Sequence, residues 1–261
     1  MIAAIMLHLP VLLLVFVRMT AFFVSAPFFS VRGVPNPYKI GLAFVLALIS
    51  FSYVPVQGQI PLDLTFVLYA VKEALVGLIL GVICELMYVT VQVAGGLMDM
   101  QMGLAMANVI DPRTGAYVPL TGNFKNILAM LYLLSINGHH VLIQGILASY
   151  QAIPLDRMWA AFGSEHVMWM AVKVFRDMFL SAFLIAAPIV VALFLVDLSL
   201  GIIAKSVPQF NIFVVGLPIK LLASFLMLIV VMPAFLLTLN GLFEKMFRAL
   251  AEMMKWLGGA A

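Results

Sequence analysis

Ionisable side chains set in apolar sequence are the groups that could do chemistry in this chain. Glu73, Glu85, Asp177 and Asp197 could relay protons through a membrane, because a charge survives there only with a partner or in a wet cavity. They are spread over different segments, so the sequence alone leaves such a relay open. His139 and His140 invite a metal, but neighbours on a helix point apart. No Cys/His/Glu cluster with ligand spacing accompanies them, so neither a metal nor another cofactor is expected. Cys84 stands in an apolar run and reads as core. There is no Gly-x-Ser-x-Gly elbow, no His-Glu-x-x-His and no phosphate loop, and no catalytic residue is expected.

Two polar stretches interrupt the apolar sequence. The first runs from Gly95 to Gly115 and includes Gly95, Gly96 and Gly103, with Met98, Met100, Met102 and Met106 among them. Methionines adapt to irregular surfaces, and Met98 and Met102 can share a helix face. Asp99, Gln101, Asn108 and Asp111 cannot all face lipid. The tract reads either as a loop or broken helix sealing something inside an assembly, or as a wet turn with methionine packing. Pro112 disfavours helix at Asp111. The second stretch spans 198–220 and contains Lys205, Pro208, Gln209, Asn211, Gly216, Pro218 and Lys220. Two prolines and a glycine among apolar residues predict a shaped corner, with Gln209 and Asn211 satisfying backbone groups near Pro208.

The elements that position these residues follow from composition. The chain has 261 residues, 65% of them hydrophobic and 10% charged, where soluble domains carry about 25% charged residues. Mean hydropathy is +1.18. An all-α integral membrane protein with broken and kinked helices is expected, forming one membrane-embedded unit over 1–261. Its net charge of +3 reflects loop lysines and arginines, not nucleic-acid binding. The first residues lack the positive region of a signal peptide.

Apolar runs predict helices over Leu9–Phe29, Ile40–Pro55, Leu64–Val89, Asn126–Tyr150, Val167–Val196 and Ile212–Asn240, with a polar joint over Asp197–Asn211 and a short amphipathic tail over Glu244–Trp256. Arg18 requires one face of the first helix to meet protein. Gly77 and Gly81 form a GxxxG pair that permits close helix approach. Lys72 and Glu73 are adjacent and are not expected to face each other, whereas Lys173 and Asp177 at i,i+4 can pair, in the reverse of the favoured order and so weakly in water. A break is expected at Asn137-Gly138, and Pro188 could kink its helix. Trp159 and Trp169 suit an interfacial belt. Arg32 and Lys39 mark their turn as cytoplasmic, but charge counting leaves the overall topology open.

Three motifs carry a family resemblance. They are Met102-Gly-Leu-Ala-Met-Ala-Asn108-Val-Ile-Asp111-Pro112, Asn137-Gly-His-His140, and Lys205-x-x-Pro208-Gln209-x-Asn211-x-Phe213-x-x-Gly216-x-Pro218-x-Lys220. With the Arg18 helix and the Arg32-Gly33-x-Pro35 turn, they resemble the FliR family of flagellar biosynthetic inner-membrane proteins. That family is related to the T component of virulence type III secretion. The resemblance implies a core subunit of the flagellar type III export gate, in the bacterial inner membrane at the flagellar basal body. It implies a fold like FliP-like and FliQ-like helical units fused, and assembly with FliP-like and FliQ-like subunits. FlhB-like and FlhA-like components would act beside it, and the cargo would be unfolded polypeptide. The resemblance further implies that a loop within 95–125 plugs the pore, with Met102, Gly103, Met106, Asn108 and Asp111 as the plug residues. Arg18, Pro208, Gln209, Asn211, Gly216, Pro218 and Lys220 would serve assembly or shape the corner. Two alternatives stand beside this expectation: an injectisome subunit of the same family, or an independent secondary transporter coupled through Glu73, Glu85 and Lys173. No inverted repeat is evident to support the transporter.

Overall fold

The structure, a computed structural model, describes residues 2–29, 35–55, 60, 63–104, 120–157, 160–207 and 211–259. Seven α-helices account for most of them: α1 (Ile2–Ser25), α2 (Asn36–Ser50), α3 (Leu64–Met102), α4 (Leu120–Ser135), α5 (Gly138–Ala152), α6 (Glu165–Ser206) and α7 (Ile212–Leu257). Among the described residues there is no strand. The all-α membrane class read from composition is the observed one.

Helix lengths depart from the sequence expectation. With 39, 42 and 46 residues, α3, α6 and α7 have contour lengths of about 58, 63 and 69 Å at 1.5 Å per residue. Each is about twice the 30 Å hydrocarbon core of a bilayer. Among the described residues, three helices are long and apolar enough to cross a membrane, and four if the α4–α5 pair counts as one span. The expected tail at Glu244–Trp256 is the continuation of α7, and the joint expected after Asp197 is helical as far as Ser206. In these stretches Asp197 and Glu252 find partners on neighbouring helices, and Ser199 and Ser206 donate to carbonyls of their own helix, so polarity did not end the helix. Pro188, Pro218 and Pro233 all lie inside helices. The expected break at Asn137 is present: the helix stops at Ser135, and Asn137 takes a left-handed φ of 56°.

The chain divides into two compact units. One holds Met1–Tyr88, Asn137–Phe175 and Glu244–Ala261; the other holds Val89–Ile136 and Arg176–Phe243. In the first unit, the GxxxG pair is a packing seam. A side-chain carbon at Gly77 would strike the Arg18 carbonyl and come within 2.9 Å of Ala21 Cβ, and one at Gly81 would strike Ser25 Oγ. Only glycine lets α3 and α1 approach this closely. Leu14, Met19, Phe22 and Phe23 fill the core beside that seam, Cys84 is buried there, and Leu250 and Met253 of α7 are buried in the same unit.

In the second unit the buried residues include Met98 and Met102 of α3, Ala129 and Leu133 of α4, Ala182, Ile189 and Leu193 of α6, and Phe235 and Leu239 of α7. Phe183, Leu184 and Phe194 of α6 and Leu222, Ile229 and Leu237 of α7 point outward and are exposed. Outward apolar faces of this extent belong against lipid or other subunits.

Candidate functional site

The Met–Gly tract meets its surroundings in the second unit. Residues 95–102, expected as the start of a loop or broken helix, form the last two turns of α3. The glycines serve helix packing here: a side-chain carbon at Gly95 would collide with the backbone of Gly122 on α4. Helix α3 and the N-terminus of α4 therefore touch backbone to backbone. Asp99, fully buried, then supplies what the start of α4 lacks. Its two carboxylate oxygens accept from the Thr121 backbone N–H, each at 3.2 Å. The Thr121 hydroxyl lies between the Asp99 carboxylate and the Gly95 carbonyl, 3.1 Å from the latter. A helix start has unpaired N–H groups and a positive dipole end, and a carboxylate satisfies both.

One turn beyond Thr121, Lys125 is buried as well. Its ammonium donates to the thioether of Met98 at 3.0 Å and lies 4.8 Å from the centre of the Phe235 ring. These are soft, polarisable partners for a cation.

Met102 is 1% exposed, and Met98 shares its buried face, while Met100 points out. After Met102 the backbone turns: Gly103 has φ +82°, a conformation that favours glycine. Of the expected plug residues, Met102 and Gly103 are thus at the end of α3, whereas Met106, Asn108 and Asp111 lie outside the described residues.

The corner residues divide similarly. Pro208 and Gln209 lie outside the described residues. Asn211 starts α7, its side-chain oxygen accepting from the Val214 N–H at 3.4 Å. It thus caps the start of α7; the backbone groups near Pro208 that it was expected to satisfy lie outside the described residues. Gly216 is buried and Pro218 is exposed within α7. Lys220 donates to Asp197 at 2.7 Å, and the same Asp197 oxygen accepts from Gln101 at 3.0 Å.

Arg18 sits in the first unit and is fully buried. Its Nε donates to Glu73, Nη1 to Ser149 Oγ at 3.0 Å and Nη2 to the Ile153 carbonyl at 2.8 Å, with the Tyr150 ring 4.3 Å away. Lys72 joins the cluster. Contrary to the expectation from helix geometry, it pairs with Glu73 at 2.7 Å. The long lysine side chain is drawn round by three carbonyls, those of Pro154, Leu155 and Arg157, at 3.0, 3.2 and 2.8 Å. Two cations and one carboxylate are thus sealed beside the carbonyls of residues 153–157, in the stretch that follows α5.

The expected Lys173–Asp177 pair is not formed. Lys173 donates to Glu252 of α7 at 2.7 Å, and Asp177 pairs with Arg176 at 2.7 Å. A carboxylate on a packed neighbouring helix displaces the weaker same-helix partner of reversed order. Of the three coupling groups of the transporter alternative, Glu73, Glu85 and Lys173, Glu73 is committed to buried partners, and Lys173 pairs with Glu252 in a part-exposed bridge. The rings of His139 and His140 come to 4.1 Å of each other, closer than adjacent helical residues were expected to lie, with His139 also against Phe28. Trp169 is exposed and donates to Glu165 at 3.2 Å; Trp159 lies outside the described residues.

The sequence did not single out Thr121, Lys125, Ser149 or the 153–157 carbonyls. A lone lysine one turn after a threonine at a helix start was the only signal for the Asp99 cluster. Nothing in the sequence linked those residues to Asp99.

The comparisons with known proteins agree with this architecture. A family model described as bacterial export proteins, family 1, matches residues 9–246. The flagellar biosynthetic protein FliR of Bacillus subtilis is 46% identical over 249 residues, covering 95% of this chain and 96% of that protein. FliR of Escherichia coli K12 is 29% identical over 92% of this chain and 91% of its own length. Yop proteins translocation protein T of Yersinia pestis is 28% identical over 73% of each chain. On these matches the chain belongs to the bacterial export proteins, family 1, as a helical membrane component of flagellar type III export and not an enzyme.

Proposed function

We propose that this chain is a core subunit of the flagellar export gate, assembling with FliP-like and FliQ-like subunits in the bacterial inner membrane at the basal body. Unfolded polypeptides are the cargo, FlhB-like and FlhA-like components act beside the gate, and the chain that begins at Met102 and Gly103 closes the conduit at rest. The observation that carries the closing role is the end of α3. A buried methionine face stops there at a glycine with positive φ, and Asp99 pins the start of α4 to the same two turns. Outward apolar faces on α6 and α7 support assembly with other membrane subunits. The flagellar branch is favoured over the virulence branch by the higher identity and coverage of the flagellar relative.

Purification of the tagged full-length chain from its native membrane tests the assembly. The expected result is a complex with unlike, highly apolar small subunits. Recovery of an active homo-oligomer that transports a small solute would refute it.

A further inference from the structure

The corner at the α6–α7 join and the tract at the end of α3 are separate features in the sequence. In the second unit they meet at a single oxygen. Asp197 Oδ2 accepts from Lys220 Nζ at 2.7 Å and from Gln101 Nε2 at 3.0 Å. Asp197 is on α6, Lys220 on α7 and Gln101 on α3, so one carboxylate joins three helices. Gln101 is two residues before Gly103, where α3 turns at φ +82°. A second contact lies alongside: a side-chain carbon at Gly103 would come within 3.2 Å of Leu217 Cδ1, three residues before Lys220 on α7.

An isolated ion pair at the surface is held loosely and contributes little. This one differs in what it shares. The Lys220 side chain is 17% exposed and Asp197 is 40% exposed, and the oxygen that binds the ammonium also binds an uncharged amide from a third helix. The charge of Lys220 keeps the Asp197 carboxylate in place, and the carboxylate keeps Gln101 in place. We infer that Asp197 is a positioning residue: it registers the end of α3 against the α6–α7 corner and so sets where the chain beyond Gly103 begins. The registration stands on this geometry; only its consequence for closing the conduit rests on the proposed function above.

Thiol labelling of Leu104→Cys in the full complex reads the registration directly. Leu104 is half-buried, and the native Cys84 is fully buried and stays silent. Asp197→Ala, which removes the shared acceptor, should raise the labelling rate about five-fold, the change matching loss of one part-exposed ion pair, and Asp197→Glu should stay near the parent rate. Gln101→Leu should produce the same rise, and the two substitutions together should produce no more than either alone, since both break one network. Should Asp197→Ala fail to accumulate, the uncharged exchange Gln101→Leu carries the test. An unchanged labelling rate at position 104, or effects of the two substitutions that multiply, overturns the inference. Closed-state conductance on the same samples separates the two claims: faster labelling with unchanged conductance sustains the registration and removes the closing role.

Discussion

Replacing Glu73 with glutamine should be among the most damaging single polar changes in the chain, and its partner Lys72 should modify the damage. The native cluster holds Arg18 and Lys72 around one carboxylate, all three essentially buried. Glu73→Gln leaves two cations sealed together without a counter-ion. Removing one member of a buried pair costs about 3–5 kcal/mol, a large share of the roughly 5–15 kcal/mol that holds a typical domain folded. Lys72→Met instead leaves the Arg18–Glu73 pair intact and neutral. It withdraws a donor from three carbonyls, of which the one on exposed Arg157 can turn to water; an estimate of about 1–2 kcal/mol follows from the cost of unmade hydrogen bonds. The double variant restores the native net charge of the cluster, so its loss should fall short of the sum by about 1–3 kcal/mol. Denaturation of the purified full-length protein in detergent, followed by tryptophan fluorescence, measures all four states. Strict additivity, or a Lys72→Met loss as large as that of Glu73→Gln, would refute the charge-balance reasoning.

Two further predictions concern the α3–α4 contact. Gly95→Leu should separate the helices, because its side chain meets the Gly122 backbone, and overpacking of this kind costs about 1–3 kcal/mol or more; the same denaturation assay checks it, and Gly201→Leu, where a side chain meets open space, serves as the comparison. Asp99→Ala should lose about 1–2 kcal/mol as the start of α4 loses its acceptor, while Asp99→Asn, which keeps an acceptor oxygen for Thr121, should lose less than half of that. Hydrogen exchange at the Thr121 amide should quicken in the alanine variant and barely change in the asparagine variant.

Much of the fold was legible in the sequence, and the failures share a cause. The GxxxG pair at Gly77 and Gly81 announced a seam, the Asn137-Gly138 step announced a break, and Arg18 announced a protein-facing side, because each feature acts within a few residues. Gly95 and Gly96 look the same in sequence whether glycine serves a turn or a close helix contact. Only Gly122, 27 residues away from Gly95, decides between them. Lys173 likewise had a candidate partner four residues away, but the one it uses lies on α7. The polar residues 197–206 looked like a joint because their partners, Gln101 and Lys220 for Asp197, are distant in the chain. The polar residues of the tract were not all expected to face lipid, and Asp99 is buried, yet nothing local pointed to Thr121. Local order therefore revealed where helices pack and break, and left unstated which distant side chains satisfy the polar groups.

Resting ion conductance of the reconstituted complex, with the stretch from Met102 to Asp111 shortened, decides whether this chain closes the conduit. The shortened complex should still assemble, and its closed state should leak small ions. An assembled complex with unaltered resting conductance would contradict the closing role.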